Sequence, residues 1–338
     1  MNMKKIVFTE IGKAELWDAD VSAPGAGEVL VEMAYTAISA GTERACLMRL
    51  PNTGNPPNGP YKPMILGYSG SGIVKAIGEG ITSVSVGDRV STIWGIHAQY
   101  NTVPERNVIR IKDDSLDLKH ASFAFIGTFP AAGIRKTRLE FGESAMIFGI
   151  GILGAFAVQL CRLAGAFPVI AADLSAERRK LALDLGADYA FDPAADGFID
   201  SVMEVTEGIG ARVIIEVTGQ SAALEQALSC VAPLGRISLL GCTRISNTPI
   251  DFYQLVHRPG ITIIGAHTNA RPKLESYPHY WTERDDCIAI LNFMQHGRLD
   301  MYKLISEVHS PEEALEVYRR LAVNKDFPVG VVFDWKRL

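Results

Sequence analysis

The stretch Ala145-Met146-Ile147-Phe148-Gly149-Ile150-Gly151-Ile152-Leu153-Gly154 decides how this chain folds. A short apolar run with the length of a buried strand enters a G-x-G-x-x-G turn, and an apolar segment of helical length, Leu153 to Ala164, leaves it. Strand, glycine turn and helix in this order form a dinucleotide-binding unit. Gly149 permits the tight turn, Gly151 lets backbone approach a pyrophosphate, and Gly154 lets helix and strand pack closely. The helix N-terminus, at Ile152 and Leu153, faces the phosphates. Asp173 lies 19 residues past Gly154, at the end of the next apolar run, Val169 to Ala172. A carboxylate there accepts hydrogen bonds from both ribose hydroxyls and repels a 2'-phosphate, so NAD(H) is favoured over NADP(H). Arg178 and Arg179 follow closely and keep a 2'-phosphate contact open, while Ser175 is better placed than Asp173 to cap the helix starting near Ala176.

Outward from this motif, strand and helix alternate. The pattern predicts helix Ala176 to Leu185, strand Tyr189 to Phe191, helix Phe198 to Glu207, strand Val213 to Val217, helix Ser221 to Cys230, and strands Arg236 to Leu240 and Thr262 to Gly265. Continuous apolar strands such as Val213-Ile214-Ile215 belong in a doubly wound parallel sheet covered on both faces, an α/β Rossmann architecture. Val217-Thr218-Gly219 and Leu240-Gly241-Cys242 end two of these strands at the carboxyl edge, where small residues suit a nicotinamide lying over backbone or simply turn the chain.

Before Ala121 the chain reads as short strands separated by glycine turns: Lys5 to Phe8, Glu28 to Tyr35, Ser71 to Ala76 and Arg89 to Ile93. This predicts a partly open barrel or a sandwich. The segment Pro51 to Pro63, with five prolines, reads as a loop of restricted freedom. After Ala266 come a polar, aromatic stretch (Asn269 to Asp286), a helix near Cys287 to His296, and a strand over Phe327 to Phe333 that could return to the first domain. The sequence therefore divides as 1–122 with 268–338 around an inserted 123–267.

At 338 residues the chain exceeds one ordinary core, and 48% hydrophobic with 21% charged residues is globular composition. A net charge of -5 leaves no basic footprint for nucleic acid. No apolar stretch has the length of a membrane span and no signal-peptide core follows Met1, so a cytoplasmic protein with a small-molecule substrate is expected. Five cysteines (Cys46, Cys161, Cys230, Cys242, Cys287) lie at wide spacings that form no local zinc knuckle.

The order of these pieces, with Val86-Gly87-Asp88-Arg89-Val90 ahead of the glycine motif and a short C-terminal return, resembles the medium-chain dehydrogenase/reductase superfamily. Its zinc alcohol and polyol dehydrogenases are the nearest likeness. The resemblance implies a GroES-like, partly open β-barrel catalytic domain holding the inserted Rossmann domain, and hydride transfer between a nicotinamide and an alcohol or ketone. It also implies a homodimer or homotetramer, pairing through the edge strand at Thr262 to Gly265. In that family a catalytic zinc takes a cysteine from a CGTD-like segment, a histidine from GHExxG, and a cysteine about 25 residues before the glycine motif. Here those segments read Ala40-Gly41-Thr42-Glu43 and Gly67-Tyr68-Ser69-Gly70-Ser71-Gly72, and the third position is Ala124. A methyl group cannot ligate zinc, so no metal site is expected.

By the same resemblance Thr42 keeps the hydroxyl that passes a proton, Thr128 lies beside the nicotinamide, and Tyr68 replaces the zinc histidine. Tyr68 either meets the substrate oxygen or fills the vacated cavity. Glu43 is an ionisable base or a surface carboxylate at a helix start, His97 a structural residue, and Arg135 the opening of a solvated or anion-binding cluster. Tyr277-Pro278-His279-Tyr280-Trp281 offers a stacking wall for a sugar or ring substrate, or a packed loop. The expected enzyme is a zinc-independent NAD(H)-dependent oxidoreductase for a polyol, sugar-like or ring-bearing alcohol. The alternatives are an NADPH-dependent quinone or enone reductase and a non-catalytic dinucleotide-binding protein. Ile38 to Arg44 also looks like the bacteriochlorophyllide hydroxyethyl dehydrogenases, which adds a tetrapyrrole-like substrate.

Overall fold

Val213, Ile214 and Ile215 are wholly buried, as are Ala145 to Ile147 and Val169 to Ala171, because their strands are covered on both faces. In the computed structural model, which describes residues 2–54, 59–323 and 327–338, these strands belong to a parallel sheet. Its described order is Tyr189–Phe191, Val169–Ala172, Ala145–Phe148, Ala211–Glu216, Val231–Leu239, Thr262–Gly265. The chain runs outward in one direction from Ala145–Phe148 and then restarts beside it at Ala211–Glu216. This is the classic dinucleotide-binding order, with its switch point between those two strands. The predicted strands and helices of this region are found with ends moved by a few residues, the largest change being the extension of the Arg236 strand back to Val231. Helix Ile152–Leu163 is buried along most of its length, so packing rather than propensity holds it.

The chain divides into two compact units, Met1–Ile126 with Cys287–Leu338, and Gly127–Asp286. The return thus falls at Cys287, after the aromatic stretch, where the sequence reading put it at 268.

The first unit is built on a seven-stranded sheet and the hairpin Asn2–Glu10 with Lys13–Asp20. Glu28–Ala37 is its central strand, flanked by Ser69–Ile77 and, over different residues, by Tyr100–Pro104 and Gly330–Asp334. The C-terminal return is therefore a strand, as expected, shifted to Gly330–Asp334 and registered with Val332 opposite Ala37. Helix Ala314–Val323, invisible in the strand-by-strand reading, buries Val317, Tyr318 and Leu321 in the same core as Ile6, Phe8, Val29, Val31 and Phe333. Three serines tie the sheet to the short helix Leu118–Ala121: Ser69 Oγ donates to Ser122 O (2.6 Å), Ser71 Oγ to Leu118 O, and Ser91 Oγ to Ala121 O (3.3 Å). The bonds from Ser69 and Ser91 satisfy the Ser122 and Ala121 carbonyls at the end of the helix, which burial would otherwise strand. Of the proline-rich segment Pro51 to Pro63, residues 55–58 lie outside the described residues. Among the described residues no helix is long and apolar enough to cross a membrane.

Candidate active site

In the second unit the glycine turn is assembled as its spacing implies. Gly149 sits at φ +90°, and a Cβ at Gly154 would overlap the Gly149 carbonyl oxygen. By contrast, a Cβ at Gly151 would meet nothing within 4 Å, so the turn is tight on its sheet side and open over the start of helix Ile152–Leu163. Gly151 caps that helix without a side chain, leaving main-chain amides of the first turn, including those of Ile152 and Leu153, for an anion.

Asp173 closes onto the same turn. Its Oδ2 accepts from Ile150 N (2.7 Å) and its Oδ1 from Ser175 N (2.9 Å). Ser175 is the cap of helix Ala176–Asp184, its hydroxyl accepting from Arg178 N (3.4 Å), so Asp173 is not needed there. Arg179 is engaged with Asp192 Oδ2 (3.0 Å) and the carbonyls of Asp173 (2.8 Å) and Leu174 (2.9 Å).

The two strand ends singled out in the sequence interlock. Leu240 N and Gly241 N both donate to Glu216 O (2.9 and 2.8 Å), and a Cβ at Gly241 would overlap the turn Val217-Thr218-Gly219. Glu216, which the sequence reading passed over, organises that turn: its Oε1 accepts from Thr218 N (2.7 Å), Thr218 Oγ1 and Gly219 N (3.1 Å). Burial raises its carboxyl above the usual range despite these donors. The signal was available as one carboxylate within the apolar run Val213 to Val217.

Thr128 is buried in helix Ala124–Thr137, and its carbonyl accepts from Arg271 Nη2 (3.0 Å). Arg135, expected to open a solvated or anion-binding cluster, lies in the last turn of that helix. Nor is its charge simply solvated. Its guanidinium covers the Trp281 ring at 3.5 Å, and its Nε donates to buried Asp286 Oδ1 (2.9 Å). Trp281 therefore gives one face to Arg135 and does not stand as a bare stacking wall. Tyr277 and Tyr280 exchange backbone bonds (2.8 and 2.9 Å) around a tight turn in which His279 takes φ +68°.

In the first unit a second constellation forms around Tyr68. Gly67, at φ +110°, has no room for a Cβ against the ring and backbone of His97, and this close approach sets the following residue. The half-buried Tyr68 ring meets Trp94 and Phe125, with centroids 5.7 Å from each, and its hydroxyl donates to Ser39 Oγ. Trp94 itself holds φ +58°, which is costly for a bulky residue and persists only where the surroundings impose it.

Thr42 and Glu43 lie in the first turn of helix Ala40–Leu47, Thr42 half-buried and Glu43 with no exposed surface. Glu43 is thus a helix-start carboxylate but not a surface one. Its Oε1 accepts from Ser39 N (2.8 Å), and its Oε2 from Tyr318 Oη (2.6 Å) and from His97 Nε2 (3.2 Å). His97 Nδ1 meets Thr36 Oγ1 (2.6 Å), which accepts from Trp335 Nε1 (2.8 Å). With Trp335 able only to donate and a carboxylate only to accept, the chain of bonds runs from Trp335 through Thr36 and His97 to Glu43. Burial and the facing carboxylate push the Tyr318 phenol well above its ordinary value, so it remains a donor. His97 is buried and structural in this sense, as its segment suggested.

Residues 25–113 match the alcohol dehydrogenase GroES-like domain and residues 153–283 the zinc-binding dehydrogenase domain. The chain is 29% identical to the L-threonine 3-dehydrogenase of Pyrococcus horikoshii over 344 residues, covering 90% of this chain and 92% of that protein. It is 26% identical to an alcohol dehydrogenase of Geobacillus stearothermophilus, covering 96% of each. Among solved structures it superposes on an oxidoreductase/dehydrogenase of unknown specificity from Escherichia coli with a TM-score of 0.86, at 19% identity over 99% of both chains. A GroES-like unit, a parallel sheet in dinucleotide-binding order and these matches agree. The chain belongs to the alcohol dehydrogenase-like medium-chain dehydrogenase/reductase superfamily of nicotinamide-dependent oxidoreductases.

Proposed function

We propose that this chain is a zinc-independent, NAD(H)-dependent oxidoreductase that interconverts a polyol, sugar-like or ring-bearing alcohol and its ketone. The observation that carries the reading is the Tyr68 hydroxyl, bonded to Ser39 and walled by Trp94 and Phe125, in the segment where the zinc relatives carry a histidine ligand. When bound, the dinucleotide supplies the hydride acceptor or donor. The chain's own residues do the rest. The open face of the Gly149-to-Gly154 turn receives the pyrophosphate, and Asp173, an acceptor that a 2'-phosphate would have to face, receives the ribose hydroxyls. Tyr68 gives a proton to the substrate oxygen in reduction and takes it back in oxidation.

Zinc does not fit this donor set. Two of the three ligand positions, Ala40 and Ala124, end in methyl groups, and the third is a phenol held by a serine among aromatic rings. The match to the zinc-binding dehydrogenase domain spans 153–283 and contains none of the three. The carboxylate and imidazole behind Ser39, Glu43 and His97, are engaged with Ser39, Tyr318 and Thr36.

Two measurements test the reading. NADH is expected to raise the melting midpoint more than NADPH does, and the opposite order favours the enone reductase. Across a panel of alcohols, ketones and quinones, Tyr68→Phe is expected to lower kcat by about 100-fold. Unchanged turnover in Tyr68→Phe reduces Tyr68 to a space filler.

A further inference from the structure

We infer that Ser39 is a positioning residue that sets the proton affinity of Tyr68, and that the buried Glu43 network exists to hold it there. The inference rests on the reading of Tyr68 given above. Ser39 is the cap residue of helix Ala40–Leu47, a place where a serine hydroxyl ordinarily accepts an amide of the first turn. It makes no such bond. Its hydroxyl instead receives the proton of Tyr68, from a residue 29 positions away in sequence.

The same residue is held through its backbone, where Glu43 accepts the Ser39 N–H at 2.8 Å. That carboxylate cannot swing away, because Tyr318 and His97 grip its second oxygen, and Thr36 and Trp335 back His97. Ser39, Thr36, Glu43, His97, Tyr318 and Trp335 are all buried, so an unmet bond at any point would leave a stranded polar group. The assembly draws on the strand Glu28–Ala37, the helix Ala40–Leu47, the segment after Ile93, the helix Ala314–Val323 and the C-terminal residues. That breadth is a large outlay for fixing one serine whose only described side-chain bond faces Tyr68.

The hydroxyl pair has a direction. While Tyr68 is neutral, its O–H donates to Ser39. Once that proton has passed to the substrate oxygen, as hydride arrives on the carbonyl carbon, Ser39 turns its own O–H toward the phenolate. A charge-assisted bond is roughly twice as strong as a neutral one, so Ser39 favours the phenolate over the phenol. The ionisable groups behind Ser39 are Glu43, His97 and Tyr318, while Trp94 and Phe125 face the Tyr68 ring. The carboxylate opposes the phenolate, and Ser39 is the group that offsets it.

The test is substrate-free. Full-length protein carrying [13Cζ]tyrosine is titrated by NMR, the Tyr68 signal among the ten tyrosines being identified by its loss in Tyr68→Phe. In Ser39→Ala the Tyr68 transition is expected about one pH unit higher than in the unaltered protein, the worth of one charge-assisted bond. In Ser39→Thr, which keeps the hydroxyl, it should return to within a few tenths. The inference is overturned if Ser39→Ala titrates with the unaltered protein, if Ser39→Thr is displaced as far as Ser39→Ala, or if Tyr68 stays protonated throughout in all three. Movement in Ser39→Ala alongside unimpaired turnover in Tyr68→Phe upholds the Ser39 assignment and rejects the functional reading. An inactive Tyr68→Phe with no movement in Ser39→Ala does the reverse.

Discussion

The glycine turn proposed as the dinucleotide cradle and the Tyr68 constellation are built by opposite means. The cradle is main chain: a glycine turn too tight for a Cβ, a helix start without a side-chain cap, and one carboxylate folded back onto the turn. Its parts lie within Gly149 to Asp173, and strand and helix geometry alone bring them together. The Tyr68 constellation is side chain, drawn from residues 36 to 335, and exists only once the seven-stranded sheet and its C-terminal strand have formed. Backbone chemistry can be specified by spacing. Side-chain chemistry of this kind depends on long-range pairing.

That contrast predicts two different failures. Gly154→Ala forces a methyl into the Gly149 carbonyl, and neither backbone segment can yield without opening the turn. We expect dinucleotide affinity to fall by about 100-fold, read by calorimetric titration with NADH. An unchanged affinity would mean that the turn is not the binding element. Glu43→Ala should act on stability first, because it strands Ser39 N–H, Tyr318 O–H and His97 in the core. The cost is about 3 to 5 kcal/mol, a fall of roughly 10 °C in melting midpoint, measured by calorimetry. A midpoint within a degree of the unaltered protein would dissolve the network as a structural unit.

The same contrast explains what was legible in the sequence. The G-x-G-x-x-G spacing, the distance to Asp173 and the alternation of apolar segments made the parallel sheet and the glycine turn legible, because each is a local property of the chain; the order of the strands was not. A helix start at Glu43 was legible, but the apolar stripe of Ala-Gly-Thr-Glu-Arg-Ala-Cys-Leu is too weak to show which face is buried, and so the burial of Glu43 was not visible. Ser39 had no signal of its own: a serine before a helix reads as a cap, and only the fold reveals that the cap is declined. Arg135 and Trp281 looked like separate features because nothing local says that residues 146 positions apart will stack. Glu216 did carry a signal, as the lone carboxylate in the apolar run Val213 to Val217, and the donors that satisfy it follow at once, at Thr218 and Gly219.

The central claim is that hydride transfer in this protein needs the Tyr68 hydroxyl and no zinc. Its most direct test is turnover of the full chain before and after exhaustive chelation, with metal content measured on the same samples and with an alcohol or ketone from the panel as substrate. The account predicts substoichiometric zinc throughout and the same turnover in both samples. One zinc per chain, with turnover lost on its removal and restored by adding it back, would contradict the account.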